Sequence, residues 1–249
     1  MKNEWYLKFN APALTYVYQH YRRLNKALEH CSLIAISAYV QNLLRQQGHE
    51  STVIPNALPV KNFKILNKNK ENARTKILYL GSLIKSKGAQ VLAEAVQGLD
   101  CDVELYGEGI LQKELEQKIR KYTLPITIHP QVPYAEIPSL YAQADIVVFP
   151  SIWPEPFGRI AIEAMAAGKP VIGSAVGGIK ETITRGTGIL VNPGDAEQLR
   201  EAIIVLMHNQ RLRKEMGKKG REVVADLYAE EKVAKKLIAL YGQKISPSP

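Results

Sequence analysis

The chain has 249 residues, of which 46% are hydrophobic and 23% are charged. This balance is typical of an ordinary globular protein, and it excludes a largely disordered chain. The formal net charge of +9 favours anionic partners such as phosphates, acidic lipid or nucleic acid, without choosing among them. Residues 1–9 lack the apolar core of a secretory signal, and the apolar runs are too short to span a bilayer.

Cysteines and acidic residues give no sign of a metal site. Cys31 and Cys101 form neither a C-x-x-C pair nor a zinc-binding spacing, so a reducing cytoplasm is the simplest location. Asp100 and Asp102 form a D-x-D triplet, a pattern that binds metal in other proteins. The triplet precedes a predicted strand, opposite the edge where parallel sheets bind ligands. We therefore interpret it as a turn and predict no metal cofactor.

The first 30 residues are rich in aromatic side chains, namely Trp5, Tyr6, Phe9, Tyr16, Tyr18 and Tyr21. Apolar residues recur at intervals of three and four over 13–30, which predicts an amphipathic helix. Aromatic residues at this spacing usually pack in a core; a docking face for a partner or a membrane interface is the alternative. A strand over 32–37, a helix over 38–47 and a strand over 51–54 follow. These strands alone make too small a sheet to be stable.

Residues 61–76 are rich in lysine and asparagine and predict a solvated linker. Beyond them, short apolar runs alternate with helical segments. Strands are predicted at 77–80, 103–106, 126–129, 146–149, 171–173 and 188–191, and helices at 89–97, 111–122, 136–142, 159–167 and 179–184. This alternation predicts an α/β fold, a Rossmann-like parallel sheet with helices on both faces. Such sheets bind ligands outside the carboxyl ends of their strands.

The C-terminal part predicts helices over 195–208, 209–225 and 229–241, followed by a flexible tail over 246–249. The second of these helices carries a row of basic residues, namely Arg211, Arg213, Lys214, Lys218, Lys219 and Arg221. We interpret this row as a solvated face. Nucleic-acid binding is disfavoured because no aromatic side chains are interleaved with the charges.

The most informative stretch, 150–181, contains two carboxylates. Glu155 lies in a proline-rich loop and Glu163 in the helix that follows, with seven residues between them. On a helical wheel Glu163 falls among apolar neighbours, where an unpaired carboxylate is costly. It needs hydroxyl or amide donors, and a sugar or a ribose supplies hydroxyls. A structural carboxylate that caps a neighbouring helix is the alternative. Glu181, further along, is expected to cap or pair within its own helix.

The same stretch reads E-P-F-G-R-I-A-I-E, then A-M-A-A-G-K-P-V-I, then G-G-I-K-E. This composite resembles the donor-site signature of the retaining glycosyltransferases of family 4, which have the GT-B architecture of two Rossmann-like domains. The resemblance extends from about Cys31 to the final helix. It implies transfer of a sugar from a nucleotide-diphosphate sugar, such as a UDP- or GDP-sugar, with retention and without metal. Polysaccharide, glycolipid and cell-envelope biosynthesis are the implied settings.

The family architecture implies four parts. Residues 1–58 would be a remnant of the N-terminal acceptor-side domain and 59–76 a hinge. Residues 77–225 would form the donor-binding domain and 226–249 a returning helix and tail. A complete member has a full domain before this point, so we expect the acceptor side to be truncated. Alternatives are a split enzyme that needs an acceptor-domain partner chain and a non-catalytic nucleotide-sugar binding module. The basic surface suggests an anionic membrane leaflet on the cytoplasmic side, or is merely solvated.

The resemblance also implies a donor site. Lys87 and Ser82 would hold the diphosphate, after a glycine-flanked turn that leads into a helix N-terminus, where phosphates bind favourably. Glu163 would hold the ribose, and Glu155 would face the sugar. The full implied set is Ser82, Lys87, Gly107, Val132, Glu155, Phe157, Gly158, Ile160 and Glu163, of which Glu155 and Lys87 are the predicted catalytic residues. Ser82 stands where the family often has arginine, which removes a bidentate charged contact.

Overall fold

The computed structural model describes residues 11–65, 74–184 and 186–245. The predictions for Trp5, Tyr6 and Phe9, for most of the linker and for the tail lie outside the described residues. Within them, the strands form one two-stranded and one six-stranded sheet. No helix in this part of the chain has the length and apolar character needed to cross a bilayer.

The N-terminal segment folds around the smaller sheet. Its elements are α1 (Ala11–Leu28), β1 (Leu33–Ala35), α2 (Ala38–Gln46) and β2 (Ser51–Val53). The two strands pair in parallel. Tyr16 and Tyr21 on α1 are 71% and 46% exposed, so the expectation that aromatic side chains of this helix pack in a core is wrong for them. The hydroxyl of Tyr21 instead donates to the side chain of Gln47, which places α1 along the surface of this unit.

The larger sheet contains only parallel strands, in the order β5-β4-β3-β6-β7-β8. The strands are β3 (Thr75–Leu80), β4 (Cys101–Tyr106), β5 (Ile126–His129), β6 (Ile146–Phe149), β7 (Val171–Ser174) and β8 (Gly188–Val191). The helices are α3 (Ala89–Ala95), α4 (Gln112–Tyr122), α5 (Ile137–Gln143), α6 (Arg159–Ala166), α7 (Ile179–Thr182), α8 (Ala196–His208), α9 (Gln210–Leu227) and α10 (Glu230–Ile245). Each predicted strand of this sheet is present, with ends within two residues of the prediction.

Two apolar cores cover the two faces of this sheet. Ile77 and Tyr79 of β3 pack with residues of α3, α4 and α8. Leu78 and Leu80, which alternate with them along the strand, pack with residues of α5, α6 and α9. Burial on both faces explains why the central strands β3 and β6 read as nearly continuous apolar runs. The prediction of a parallel sheet covered by helices on both sides is confirmed.

The strand order reverses between β3 and β6. From β3 the chain proceeds outward to β4 and β5, and from β6 it proceeds outward on the other side to β7 and β8. The loops that follow β3 and β6 therefore leave the carboxyl edge in opposite directions and open a crevice between them. Open parallel sheets bind ligands at such a switch point. We therefore look for the site between loops 81–88 and 150–158.

Candidate functional site

The two loops at the switch point are joined by main-chain hydrogen bonds. A short 3₁₀ helix, Lys85–Lys87, follows β3. Within it, the carbonyl oxygen of Ser86 accepts from the amides of Ile152 at 2.8 Å and Trp153 at 3.1 Å. The hydroxyl of Ser151 donates to the same oxygen at 3.1 Å. One carbonyl group thus anchors the loop after β6 against the turn after β3.

Gly88 allows this close approach. Its φ is +79°, and a Cβ atom there would lie 1.8 Å from the carbonyl oxygen of Pro150. A side chain of any size is incompatible with that distance, and glycine also adopts the left-handed conformation at no steric cost. The sequence requirement for glycine at the end of this turn therefore comes from contact with the opposite loop.

Lys87 and Glu155 meet across the crevice. The ammonium nitrogen Nζ of Lys87 lies 2.6 Å from Oε1 of Glu155, and the two side chains are 31% and 12% exposed. The hydroxyl of Ser151 donates to the same carboxylate oxygen at 2.8 Å. The structure thus brings together the two predicted catalytic residues, which are 68 positions apart in the chain. The ion pair is partly shielded from water and lies at the carboxyl edge of the sheet.

The predicted diphosphate turn is supported from below by Tyr79. Its hydroxyl donates to the carbonyl oxygen of Ser82 at 3.1 Å. Burial, with a contribution from the nearby carboxylate of Glu155, raises the pKa of Tyr79 far above its usual value. The phenol therefore remains a neutral donor. The side chain of Ser82 is exposed at the rim of the crevice.

Two further predicted residues lie along the same edge of the sheet. Gly107 follows β4, and a Cβ atom there would lie 2.0 Å from the carbonyl oxygen of Gly81, so the turns after β3 and β4 are in contact. Val132 lies in the loop after β5, where it is half-buried. Together with Ser82, these residues follow three adjacent strands, β3, β4 and β5, at the carboxyl edge of the sheet.

The loop that carries Glu155 is held by backbone contacts. Its carbonyl oxygen accepts from the amide of Gly178 at 2.7 Å. Phe157 is buried and packs edge-on against Tyr228, with ring centroids 5.6 Å apart, so only its main chain is available to a ligand. Gly158 precedes α6 with φ of +108°. Ile160, in the first turn of α6, packs partly against the core below.

Glu163 lies apart from the ion pair, in α6, and its three partners belong to the chain itself. Oε1 accepts from Nε of Arg159 at 2.8 Å and from the hydroxyl of Tyr134 at 2.9 Å. Oε2 accepts from the hydroxyl of Tyr141 at 3.0 Å. Glu163 is 4% exposed, which confirms its predicted position among apolar neighbours. Its need for hydroxyl donors is met by two tyrosines.

The partners of Glu163 keep their protons. Burial first, and then the adjacent carboxylate of Glu163, raises the pKa of Tyr141 well above its usual value. Burial also raises the pKa of Tyr134. The hydrogen bonds to Tyr134 and Glu163 raise the pKa of Arg159 further above its already high value. All three groups therefore act as hydrogen-bond donors to Glu163 at any physiological pH.

The prediction for Glu181 is wrong. Its carboxylate does not pair within α7 but accepts from the backbone amides of Ala38 and Tyr39, at 2.8 and 2.6 Å. These amides belong to the first turn of α2, where unpaired N–H groups favour a carboxylate. Ser37 completes the joint by donating to the carbonyl oxygen of Pro156 at 2.6 Å. The N-terminal segment is therefore tied to the loop that carries Glu155.

Four contacting residues were missed by sequence reasoning, namely Ser151, Tyr134, Tyr141 and Arg159. The spacing of Arg159 and Glu163, four residues apart on a helix, is a recognisable ion-pair signal. The other three come from separate loops and helices and carry no local signal, because their partners are distant in sequence.

The interpretation of the D-x-D triplet as a turn is wrong for two of its three residues, because Cys101 and Asp102 are the first residues of β4 and only Asp100 precedes the strand. Arg74 pairs with Asp100 at 2.7 Å and with Asp102 at 3.1 Å, at the start of β4. In the described ranges, no three histidine, cysteine or acidic side chains converge in a geometry that suits a metal ion.

In the basic row of α9, Arg221 donates to the carbonyl oxygens of Phe63 and Ala166, at 3.0 and 2.8 Å, which gives this residue a structural role.

Known glycosyltransferases resemble this chain in sequence and in overall structure. An uncharacterized glycosyltransferase of Methanocaldococcus jannaschii is 32% identical over 194 residues, which cover 76% of this chain and 53% of that protein. Sucrose-phosphate synthase from Thermosynechococcus elongatus has a similar structure, with a TM-score of 0.82 and 31% identity over 90% of this chain and 61% of that one. The C-terminal domain of a group 1 glycosyl transferase from Francisella tularensis has a TM-score of 0.63 and 28% identity, covering 70% of this chain and 100% of that one.

These likenesses confirm the predicted α/β class, the parallel sheet of GT-B glycosyltransferases. The chain spans only about half the length of the archaeal relative. The family model described as glycosyl transferases group 1 matches residues 61–223, which include the ion pair, the glycine turns and the Glu163 cluster. The chain therefore belongs to the family of group 1 glycosyl transferases.

Proposed function

We propose that this chain carries the donor site of a glycosyltransferase that moves a sugar from a nucleotide-diphosphate sugar to an acceptor with retention. The observation that supports this proposal is the meeting of Lys87 and Glu155 at the switch point of the parallel sheet, 2.6 Å apart. A cation at this position suits a diphosphate, and the carboxylate beside it suits the hydroxyls of a sugar.

In the proposed reaction, the bond between C1 of the donor sugar and the diphosphate oxygen breaks, and its electron pair moves onto the phosphate. The acceptor hydroxyl oxygen bonds to C1 on the same face, and its proton passes to the departing phosphate oxygen. Lys87 stabilises the negative charge that develops there. Glu155 orients the ammonium group in the free protein and faces the sugar in the complex. This is electrostatic catalysis without a protein general base.

The remaining contacts follow the carboxyl edge of the sheet. Ser82 donates one hydrogen bond to the diphosphate, and the glycine turn at Gly107 allows the backbone to approach it. The main chain at Val132 faces the nucleobase, and Glu163 binds the ribose hydroxyls. The backbone of Phe157 and Gly158 and the adjoining Ile160 border the sugar.

The wider assignment remains part of the proposal. Residues 77–225 would be the donor-binding domain of a family 4 enzyme, and the smaller sheet within 1–58 would belong to the acceptor side. We propose a cytoplasmic protein that acts without a metal cofactor, in polysaccharide, glycolipid or cell-envelope biosynthesis. Its basic surface, with a net charge of +9, is suited to an anionic membrane leaflet.

Calorimetric titration with UDP, GDP and ADP tests the donor site. We expect selective binding of one nucleotide. Glu163→Gln should weaken that binding by about 10- to 100-fold, because the amide removes an acceptor that a ribose hydroxyl needs and leaves polar groups unpaired.

The matched control is Glu201→Gln, which changes an exposed carboxylate on α8. It should bind the nucleotide like the unmodified chain, and melting curves should show that both variants are folded. Binding of no nucleotide by the unmodified chain contradicts the proposed function. Equal binding by the Glu163→Gln variant contradicts the ribose assignment alone.

Metal independence is tested by repeating the same titration in EDTA and in Mg²⁺. We expect equal nucleotide affinity, because Lys87 and the surrounding backbone would supply the positive potential that a metal supplies in other transferases. A clear loss of affinity in EDTA that Mg²⁺ restores would show that this part of the proposal is wrong.

A further inference from the structure

The hydroxyl of Tyr134 makes two opposite hydrogen bonds. It donates to Oε1 of Glu163 at 2.9 Å and accepts from Nη2 of Arg159 at 2.9 Å. A ribose hydroxyl also donates and accepts, so it could make the same two contacts. Arg159 lies over the ring of Tyr134 as well, with 5.2 Å between the guanidinium carbon and the ring centroid.

The carboxylate of Glu163 has about four acceptor positions. Within the part of the chain that the structure describes, Oε1 accepts two hydrogen bonds and Oε2 accepts one. Oε2 therefore has an acceptor position left for one ribose hydroxyl. A second hydroxyl of the same ribose needs Oε1, which is already shared by Tyr134 and Arg159.

Access to Glu163 also requires displacement, because the residue is only 4% exposed. Tyr141 cannot move aside, since it is fully buried in the core under α6. Tyr134 is 48% exposed and lies on the short 3₁₀ helix Tyr134–Glu136, between a loop and α5. Of the two tyrosine hydroxyls that donate to the carboxylate, the one of Tyr134 can therefore turn into water with the smaller loss of packing.

We infer that the hydroxyl of Tyr134 occupies in the free protein the place that a ribose hydroxyl of the bound nucleotide takes, so that Tyr134 sets the affinity and the ribose specificity of the donor site. This inference rests on the proposed function. Tyr134 is then a specificity-determining residue. A ligand that displaces its hydroxyl must replace two hydrogen bonds, one to Glu163 and one from Arg159.

Tyr134→Phe tests the inference because it keeps the ring and its contact with Arg159 and removes only the hydroxyl. The ribose then displaces nothing, so the nucleotide selected by titration with UDP, GDP and ADP should bind about 3- to 10-fold more tightly. Tyr122→Phe, at a tyrosine of similar exposure on α4, should leave the affinity unchanged.

A second measurement uses the 2′-deoxy and 3′-deoxy forms of that nucleotide. In the unmodified chain a missing hydroxyl leaves Tyr134 in place, so the affinity penalty should be small. In Tyr134→Phe the same missing hydroxyl leaves one acceptor position on Oε1 of Glu163 and the Nη2 donor of Arg159 unfilled, so the penalty should be about 3- to 10-fold larger for one of the two analogues. A purely structural role of Tyr134 would not produce this coupling.

The outcomes separate the two proposals. Tighter binding together with the larger deoxy penalty supports the inference. Equal or weaker binding by a folded Tyr134→Phe variant, with the same deoxy penalty as the unmodified chain, overturns it and leaves the donor site intact. Absence of nucleotide binding by the unmodified chain overturns the proposed function itself.

Discussion

Replacing Lys87 by alanine should reduce sugar transfer by about 1,000-fold, the largest functional effect expected in this chain. The ammonium group is the only cation that the structure places against Glu155 among the described residues. In the proposed reaction it is positioned where charge develops on the leaving diphosphate. Its removal also leaves the carboxylate of Glu155 with Ser151 as its remaining donor, which adds repulsion toward an anionic ligand. The rate is measured as release of nucleoside diphosphate from the matching nucleotide sugar.

Lys85→Ala is the matched control, since Lys85 lies in the same 3₁₀ helix and is exposed. This substitution removes an equal charge from the same turn, and the variant should retain most of the rate of sugar transfer. Both variants should unfold at similar denaturant concentration, because partly exposed ion pairs contribute little to stability. Equal rates for the two variants would show that the total charge of the turn matters and that the ammonium of Lys87 has no special position.

Replacing Gly88 by alanine should give the largest loss of stability, about 4 kcal/mol, the sum of a steric and a conformational cost. The added Cβ would lie 1.8 Å from the carbonyl oxygen of Pro150, so the turn and the opposite loop must separate. The left-handed conformation adds about 1 kcal/mol for a residue with a side chain. Chemical denaturation measures the loss, and nucleotide titration should show weaker binding because Lys87 moves with the turn.

Gly98→Ala separates the two causes. Gly98 has φ of +73°, close to the value at Gly88, but a Cβ atom there meets nothing within 4 Å. It should lose only the conformational part, about 1 kcal/mol. A similar loss of stability in both variants would mean that the contact with Pro150 relaxes easily and does not hold the site together.

The larger sheet was predictable because its central strands are buried apolar runs that alternate with helical segments. The strand 146–149 needed no tertiary information, since four consecutive apolar residues allow no other placement in an alternating α/β chain. The strand order was not predicted, because neighbouring strands such as β3 and β6 are separated by two complete strand–helix units.

The candidate site was predictable only where its residues form a local pattern. The pair Glu155 and Glu163 was found because one loop–helix unit carries both. Their separate surroundings were not predicted: Glu155 faces a lysine from another loop, and Glu163 faces tyrosines from the β5–α5 region. Glu181 shows the same limit most clearly, since its partners lie more than 140 positions away.

The contact between α2 and the loop at Pro156 is formed by main-chain atoms of some residues and by side chains of others. Ala38, Tyr39 and Pro156 contribute only main-chain atoms to it, whereas Ser37 and Glu181 contribute side chains. Most residue types could replace the first three without removing a bond. Related sequences could therefore vary at these three positions and keep the contact, provided that the hydroxyl of Ser37 and the carboxylate of Glu181 are retained.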